Sequence, residues 1–165
     1  MSGGASSWSF AEADAVRIQG ILTEFLRDSS ARTAFIIDRT GQLIVTTGEP
    51  PQFDATTFAS LAAADFSAND QLARLLGEPE FGALVHQGEK ESMYLADVAH
   101  RVILVVLFDN RTTLGLVKLR VRTAVRDLTA AFAELFAGRD GARPTRIARE
   151  LVGEAEDEID RLFGT

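Results

Sequence analysis

Apolar side chains recur at helical spacing near the start of the chain, after a short stretch of small and polar residues. The pattern predicts disorder over residues 1–8 and a helix over residues 9–28, with Ser9 as its N-cap. The candidate core residues of this helix are Phe10, Ala13, Val16 and Leu22.

Two short apolar runs follow, separated by a segment that is typical of a hairpin turn. Residues 34–37 and 43–47 are rich in apolar and β-branched side chains. The turn at residues 38–41, Asp-Arg-Thr-Gly, starts with an acid and ends with a glycine, at which φ can be positive. We therefore expect a β-hairpin, followed by a loop that contains Pro50 and Pro51.

A second helix is predicted over residues 55–76, with Asp54 as its N-cap and Gly77 just past its end. One stripe of this helix is apolar apart from a single acid, and it comprises Phe58, Leu61, Asp65, Ala68, Leu72, Leu75 and Leu76. Another stripe is small and polar, and it comprises Ser60, Ala63, Ser67, Asp70, Gln71 and Arg74. A helix so rich in small residues can let another backbone approach closely.

Beyond residue 82 the helical period gives way to short extended runs. The pattern predicts strands over residues 83–86, 92–98 and 101–108, joined by tight turns. The last run is apolar on both faces. We therefore expect it in the middle of a sheet that is covered on both sides, with the strand at 92–98 beside it.

The last third of the chain fits two interpretations. Residues 116–122 alternate as a strand does, but a longer pattern of apolar residues at helical spacing favours a helix over residues 113–136. Residues 138–145 contain glycine and proline and predict a linker, and residues 146–163 predict a short acidic helix.

The predicted order is α-ββ-α-βββ-α with a tail helix, which is an α/β (α+β layered) arrangement. A five-stranded, mainly antiparallel sheet with helices on both faces lets every element bury its apolar side. We expect one domain over residues 9–137, followed by the linker and C-terminal helix over residues 138–165.

Composition narrows the classes of function. The 165 residues carry a net charge of −7 and no cysteine. An acidic chain lacks the basic surface of a general nucleic-acid binder, and a chain without cysteine has no disulfide, thiolate nucleophile or Cys-ligated metal. No apolar run reaches the ~20 residues of a membrane span, and the N-terminus does not resemble a secretory signal. We expect a cytoplasmic globular protein that binds no nucleic acid and does not insert into membranes.

The sequence contains no motif that is typical of catalysis. Walker, dinucleotide-binding and nucleophile-elbow motifs are all missing from it. We expect His86 and His100, its only histidines, at strand ends or turns. The acidic run at residues 154–160 lacks the spaced ligands of an EF-hand, which favours a solvated helix face. We expect no catalytic residue, cofactor or metal.

Two sets of basic residues allow alternative interpretations. Arg111 follows the buried strand and can either act as an arginine finger toward a nucleotide or hold a loop, and we favour the loop. Lys118, Arg122 and Arg126 lie on one stripe of the third helix. That stripe is either a solvated face or a docking patch for an acidic partner.

Three stretches together resemble the Roadblock/dynein-light-chain family. They are AFIIDRTGQLIV from Ala34, the alanine-rich second helix, and VILVVLFDNRTTLGLVKLR from Val102. They match the opening hairpin, the second helix, and the last strand with its following helix. The resemblance covers residues 31–136 and is closest to the MglB branch, the bacterial partners of the Ras-like GTPase MglA.

The resemblance implies a homodimer that joins its sheets through the third strand and pairs its second helices. In the MglB branch that helix pair meets the GTPase and accelerates GTP hydrolysis without an arginine finger, by holding the catalytic residues of the GTPase in place. The implied setting is the control of cell polarity and motility, with a cell pole as one location. The residues expected to contact the partner are Ala63, Ala64, Ser67, Asp70, Gln71 and Arg74.

The tail helix also resembles the MglB branch, where it makes a second contact with the GTPase. Ile159, Leu162 and Phe163 follow an i, i+3, i+4 spacing that suits a helix docking into a groove, or covering the protein's own surface. Two other functions stay open. One is a Roadblock scaffold that binds a GTPase or larger complex without stimulating hydrolysis, and the other is a small-molecule sensor of the profilin or longin shape.

Overall fold

The structure, a computed structural model, describes residues 11–142 of the chain, with side chains as far as residue 137. Its elements are α1 (Glu12–Ser29), β1 (Thr33–Asp38), β2 (Leu43–Gly48), α2 (Ala55–Leu75), β3 (Leu84–Gln87), β4 (Ser92–Val98), β5 (Val102–Phe108) and α3 (Leu114–Ala142). The predicted disordered start, Phe10 and the acidic tail helix with Ile159, Leu162 and Phe163 lie outside the described residues. The prediction of Ser9 as the N-cap is wrong, because α1 begins at Glu12 and its N-cap is Ala11, which makes no side-chain capping hydrogen bond.

The five strands form one sheet in the order β2-β1-β5-β4-β3, and every neighbouring pair is antiparallel. The apolar run Val102–Phe108 lies in the middle, with β4 beside it, so both sequence predictions for these strands are confirmed. The α-ββ-α-βββ-α order and the antiparallel sheet flanked by helices are also confirmed.

One face of the sheet packs against α2. Its core cluster joins Phe35 and Ile37 of β1 to Ile103 and Val105 of β5, and its α2 members are Ala59, Ala62, Ala63 and Phe66. Three of these four α2 positions carry only the methyl group of alanine, so α2 can lie close to the sheet. The alternate residues of β1, Ala34 and Ile36, are also fully buried, so the opposite face is covered as well.

The β1–β2 turn is shaped by Asp38, as its position in the sequence predicts. The Asp38 carboxylate accepts hydrogen bonds from the backbone N–H of Thr40 and of Gln42, both at 2.9 Å. Gly41 has φ +96°, and a Cβ at this position would lie 3.0 Å from the Cα of Ser60. The turn therefore packs directly on α2, and only glycine fits both its φ and this approach.

Both predicted ends of α2 are confirmed. The Asp54 side chain accepts a hydrogen bond from the Thr56 N–H at 3.3 Å, as an N-cap does. Gly77 has φ +81° and donates its N–H to the Arg74 carbonyl, and the Glu78 N–H bonds to the Ala73 carbonyl. These two bonds form a Schellman motif, which terminates the helix.

Two details of the helices differ from the sequence predictions. In α1 the buried apolar residues are Ile18, Leu22 and Phe25, so the prediction for Leu22 is confirmed. Val16 is 65% exposed and Ala13 is also exposed, because the buried face is set by contact with the sheet and not by apolarity alone. The linker predicted from residue 138 is wrong at its start, since α3 continues to Ala142. A helical glycine costs only about 1 kcal/mol relative to alanine, which is too little to end a long helix by itself.

The helical interpretation of the last third is confirmed by α3. Its buried residues include Val117, Val121, Ala124 and Leu128, whereas Val125 is half-buried. In the last turns of α3, the rings of Phe132 and Phe136 stack with centroids 6.2 Å apart. Among the helices that the structure describes, none is both long and apolar enough to cross a bilayer.

Candidate functional site

The helix α2 has a second apolar face that the sheet does not cover. Its sheet-facing residues are Ala59, Ala62, Ala63, Phe66, Asn69 and Ala73, all of them buried. The leucines point elsewhere, and Leu61, Leu72 and Leu75 are 65%, 55% and 82% exposed. Apart from Phe58, which packs against the core cluster, the apolar stripe of the sequence is therefore not the core side of the helix. Its leucines face outward because the close helix–sheet approach admits mainly alanines.

We call the outward row Leu61, Ala64, Ala68, Leu72 and Leu75 the apolar seam. These positions repeat at intervals of three and four residues, which places them along one side of a helix. Large apolar side chains in such a row lose favourable burial when they face water, so the seam has the character of an interface.

A cleft lies between α2 and the ends of the strands, beside the seam. Its volume is about 220 Å³, and we call it the polar cleft; it is lined by Arg39, Ala63, Ser67, Asp70, Gln71, Arg74 and Ile103. Five of the six residues predicted on α2 for partner contact thus line one surface feature. The sixth, Ala64, lies on the apolar seam. Ala63 is only 5% exposed and belongs to the core cluster, so its side chain lies at the floor of the cleft.

Arg39 forms the wall of the cleft opposite α2, and the sequence prediction missed it. Its Nη1 lies 3.0 Å from the Asp70 carboxylate of α2, and its Nη2 contacts the Asp97 carboxylate of β4. Its guanidinium carbon lies 5.5 Å from the centre of the Phe66 ring. Arg39 is a turn residue, and nothing in its local sequence indicates these long-range partners.

Asp97 is itself held by the β4–β5 turn. Its carboxylate accepts a hydrogen bond from the His100 N–H at 3.1 Å, and the His100 ring lies 3.3 Å away. Ala99 and His100 both have φ +57°, and the Arg101 N–H bonds to the Val98 carbonyl, as in the tight turns that join antiparallel strands. The predictions that His100 lies in a turn and that His86 lies near a strand end are confirmed.

The open side of the cleft is polar, and some of its side chains have few partners among the described residues. Ser67, Gln71 and Arg74 are exposed, and a long hydrogen bond of 3.4 Å joins Gln71 to Ser67. Over the described part of the chain, Arg74 makes no ion pair, in contrast to Arg39. Among the described residues, the cleft therefore presents one free cation beside amide and hydroxyl groups.

The acid within the apolar stripe also has a partner. Asp65 Oδ2 lies 2.5 Å from Nε2 of His86, which is on the edge strand β3. Asp70 and Asp65 thus each join α2 to a different part of the sheet. Their presence on an otherwise small-residue helix follows from these contacts.

A separate ion cluster lies at the other end of the strands. Arg111 donates from Nε to Asp109 at 3.0 Å and contacts Glu49 through Nη1 at 3.0 Å. Arg32 contacts Glu49 at 2.9 Å and also Glu91. The pKa of Glu49 is lowered mainly by its hydrogen bond with Arg32 and next by its hydrogen bond with Arg111. The hydrogen bonds from Arg111 also lower the pKa of Asp109. The loop-holding interpretation of Arg111 therefore agrees with the structure.

The basic stripe of α3 is solvated over its described length. Lys118, Arg122 and Arg126 are all exposed. Arg126 is paired with its neighbour Asp127 at 3.3 Å. The stripe carries no further feature, within the described residues, that distinguishes a docking patch from a charged surface.

The chain matches the family model for the Roadblock/LC7 domain over residues 18–108, which is more than half of its length. Among solved structures, it is similar to Myxococcus xanthus MglB, with 43% identity and a TM-score of 0.68 over 72% of this chain and 96% of that one. It is also similar to the gliding protein MglB of Thermus thermophilus, with 34% identity and a TM-score of 0.73 over 79% and 99%. A third MglB, described as having a tetrameric arrangement, is 33% identical with a TM-score of 0.74 over 80% and 99%.

Proposed function

Because this chain belongs to the Roadblock/LC7 family, we propose that it is a GTPase-activating regulator of an MglA-like small Ras-family GTPase. It acts as a homodimer, in the control of cell polarity and motility. The similarity to two MglB proteins at 43% and 34% identity, across nearly their whole length, is the observation that carries this proposal.

The exposed surfaces of α2 support the homodimer. A two-fold dimer places the same patch of each copy against itself, so a single apolar seam can cover its equivalent. Within residues 11–142, the edge strand β3 has a neighbouring strand on one side only, which leaves its outer backbone groups open to a second copy. Asp65 and His86 connect these two elements, and thus the seam and the edge lie on one continuous side of the protomer.

The polar cleft supports a contact with the GTPase. It lies on the flank of α2 next to the seam, so that a dimer formed through the seams brings the two clefts toward a shared surface. The proposed contact residues are Ser67, Asp70, Gln71 and Arg74, with Ala64 at the border of the seam. Ala63 is buried and contributes to the floor.

The arrangement of arginines suits activation by positioning. Arg39 and Arg111 are each engaged by two carboxylates of the protein itself, so neither is free to extend toward a nucleotide. Phosphoryl transfer depends mainly on the placement of groups that the GTPase already carries. A rigid surface that holds those groups is sufficient for stimulation.

The tail provides a second proposed contact. Ile159, Leu162 and Phe163 have the spacing of a helix that docks into a groove of the GTPase. Truncation after Ala142 removes them and leaves α3 at its described length. We expect truncation to weaken binding to the GTPase and to alter the rate of nucleotide exchange on the GTPase. An unchanged affinity together with an unchanged exchange rate would exclude a role for the tail.

The direct test is GTP hydrolysis by an MglA-like GTPase from the same genome, under single-turnover conditions, with increasing amounts of this protein. We expect saturable stimulation and tighter binding to the GTP-loaded state than to the GDP-loaded state. Binding without stimulation would favour the scaffold alternative. The absence of both binding and stimulation would overturn the proposal.

A further inference from the structure

We propose that Arg39 is a positioning residue, which fixes α2 relative to the ends of two hairpins and so holds the polar cleft in one shape. The inference rests on the proposed function, because that function assigns the cleft to a GTPase. In this scheme Arg39 acts through α2, and not on the nucleotide or on the reacting groups of the GTPase.

Three separate segments meet at this one side chain. Arg39 comes from the β1–β2 turn, Asp70 from the C-terminal part of α2, and Asp97 from the end of β4. The two carboxylates use different nitrogens of the guanidinium. The planar fork of arginine can hold both in fixed directions, whereas the ammonium of lysine is a single point of charge.

We call Arg39 together with its partners Asp70 and Asp97 the clamp. Both hairpin segments that contribute to the clamp are held by further hydrogen bonds. Asp38 fixes the turn that carries Arg39, through hydrogen bonds to the Thr40 and Gln42 N–H groups. The backbone of His100 holds the carboxylate of Asp97. Arg39 therefore joins α2 to two hairpin turns, each of which is held by an aspartate that accepts hydrogen bonds from the backbone.

The packing of α2 on the sheet gives the clamp a task. Near Asp70 the buried helix residues include Ala63 and Ala73. Because these side chains are small, their packing gives little resistance to a shift of α2 along the sheet. Asn69 is buried too, with its Nδ2 making no hydrogen bond in the described part of the chain. Phe66 is the one large buried residue on the sheet-facing side of α2, and Arg39 lies over its ring. The polar contacts of Arg39 therefore define the position of this part of the helix.

The ion pairs are shielded enough to matter. The side chains of Arg39, Asp70 and Asp97 are 35%, 22% and 21% exposed. Pairs that are partly removed from water are less screened by salt than fully exposed pairs. Loss of Arg39 would also leave two carboxylates close together with no cation between them.

Positioning and direct catalysis predict different kinetics. When only a fraction of the protein has the binding-competent shape, the apparent dissociation constant rises by the inverse of that fraction. Saturating amounts restore full stimulation, because every bound GTPase still meets a competent surface. A residue that acts on the reacting groups would instead lower the stimulated rate at saturation.

The test compares Arg39→Met, which keeps an apolar stem over Phe66, with Arg39→Lys, which keeps the charge. For Arg39→Met we expect the half-maximal concentration for GTPase stimulation to rise about tenfold, with the plateau rate within about twofold of wild type. The half-maximal concentration for Arg39→Lys should lie between those of wild type and Arg39→Met. Arg32→Met is the matched control, since Arg32 also bridges carboxylates but has no α2 partner among its ion pairs, and it should behave as wild type.

Amide hydrogen exchange provides a readout that needs no GTPase. We expect faster exchange over residues 66–74 in Arg39→Met, and no change there in Arg32→Met. Unchanged exchange, or a lowered plateau with an unchanged half-maximal concentration, would overturn the positioning role. If wild type stimulates no GTPase, the proposed function fails and exchange alone decides the clamp. Asp97→Asn removes one arm of the clamp and serves if Arg39→Met does not fold.

Discussion

Nη1 of Arg111 lies 3.0 Å from the Glu49 carboxylate, so the loop after the central strand β5 is tied to the end of the edge strand β2. Arg111 also bonds to Asp109, and Arg32 joins Glu49 from the start of β1. This cluster links the chain segments that leave β2 and β5. It also lowers the pKa of two acids, which has a measurable consequence.

Stability should fall on acidification through the Glu49 cluster. Its hydrogen bonds with Arg32 and then Arg111 hold the folded-state pKa of Glu49 below the unfolded value, and Arg111 does the same for Asp109. The stabilising contribution is therefore complete above the unfolded pKa of about 4, and is lost as the pH falls through the folded pKa. Urea unfolding measured from about pH 6 to pH 3 should show this loss.

The Glu49→Gln variant should show a smaller loss over the same pH range, since it removes one of the two depressed carboxylates. Glu78→Gln is the control, because Glu78 is exposed and its side chain makes no ion pair in the described residues. Equal pH dependence in wild type and Glu49→Gln would contradict the assignment.

Leu72→Glu should weaken the homodimer. A charge in the apolar seam would have to be buried against the second copy without a partner, which is unfavourable. We expect the dissociation constant, measured by analytical ultracentrifugation, to rise by about tenfold or more. Leu119→Glu is a closely matched control, because Leu119 is also 55% exposed but lies on α3. A dimer of wild-type strength in Leu72→Glu would remove the seam from the interface.

Ser67→Trp should block GTPase stimulation and leave the dimer intact. The bulky ring would fill part of the cleft of about 220 Å³, whereas Ser67 does not belong to the apolar seam. We expect stimulation to drop by about tenfold or more at a fixed concentration, with unchanged sedimentation. Ala130→Trp, at an exposed position on α3, controls for a bulky surface residue. Retained stimulation in Ser67→Trp would exclude the cleft as the contact.

Arg74→Ala should raise the half-maximal concentration and spare the plateau rate. Arg74 is the cation of the cleft that no described carboxylate engages, so it is available for an acidic group of the partner. Loss of one such exposed contact, about 1 kcal/mol, corresponds to about a fivefold change in affinity. An arginine finger contributes on the order of 10³-fold or more to the rate. A plateau reduced to that extent would identify Arg74 as a finger and refute activation by positioning alone.

The sequence by itself determined the elements and their order, because these depend on local signals. The hairpin turn at residues 38–41, the caps Asp54 and Gly77, and the apolar run of β5 each act over a few residues. The family resemblance also rested on such stretches. Most of the polar cleft was predictable as well, since its α2 residues share a helical stripe.

Only the tertiary structure decided which face of α2 meets the sheet and which residue completes the cleft. A helix with both an alanine-rich side and a leucine-rich side can bury either one, and an apolar count favours the leucines. The close approach of α2 to β1 and β5 selects the alanines and leaves Leu61, Leu72 and Leu75 outside. The partners of Arg39 lie 31 and 58 positions away along the chain, and no local pattern encodes such a meeting.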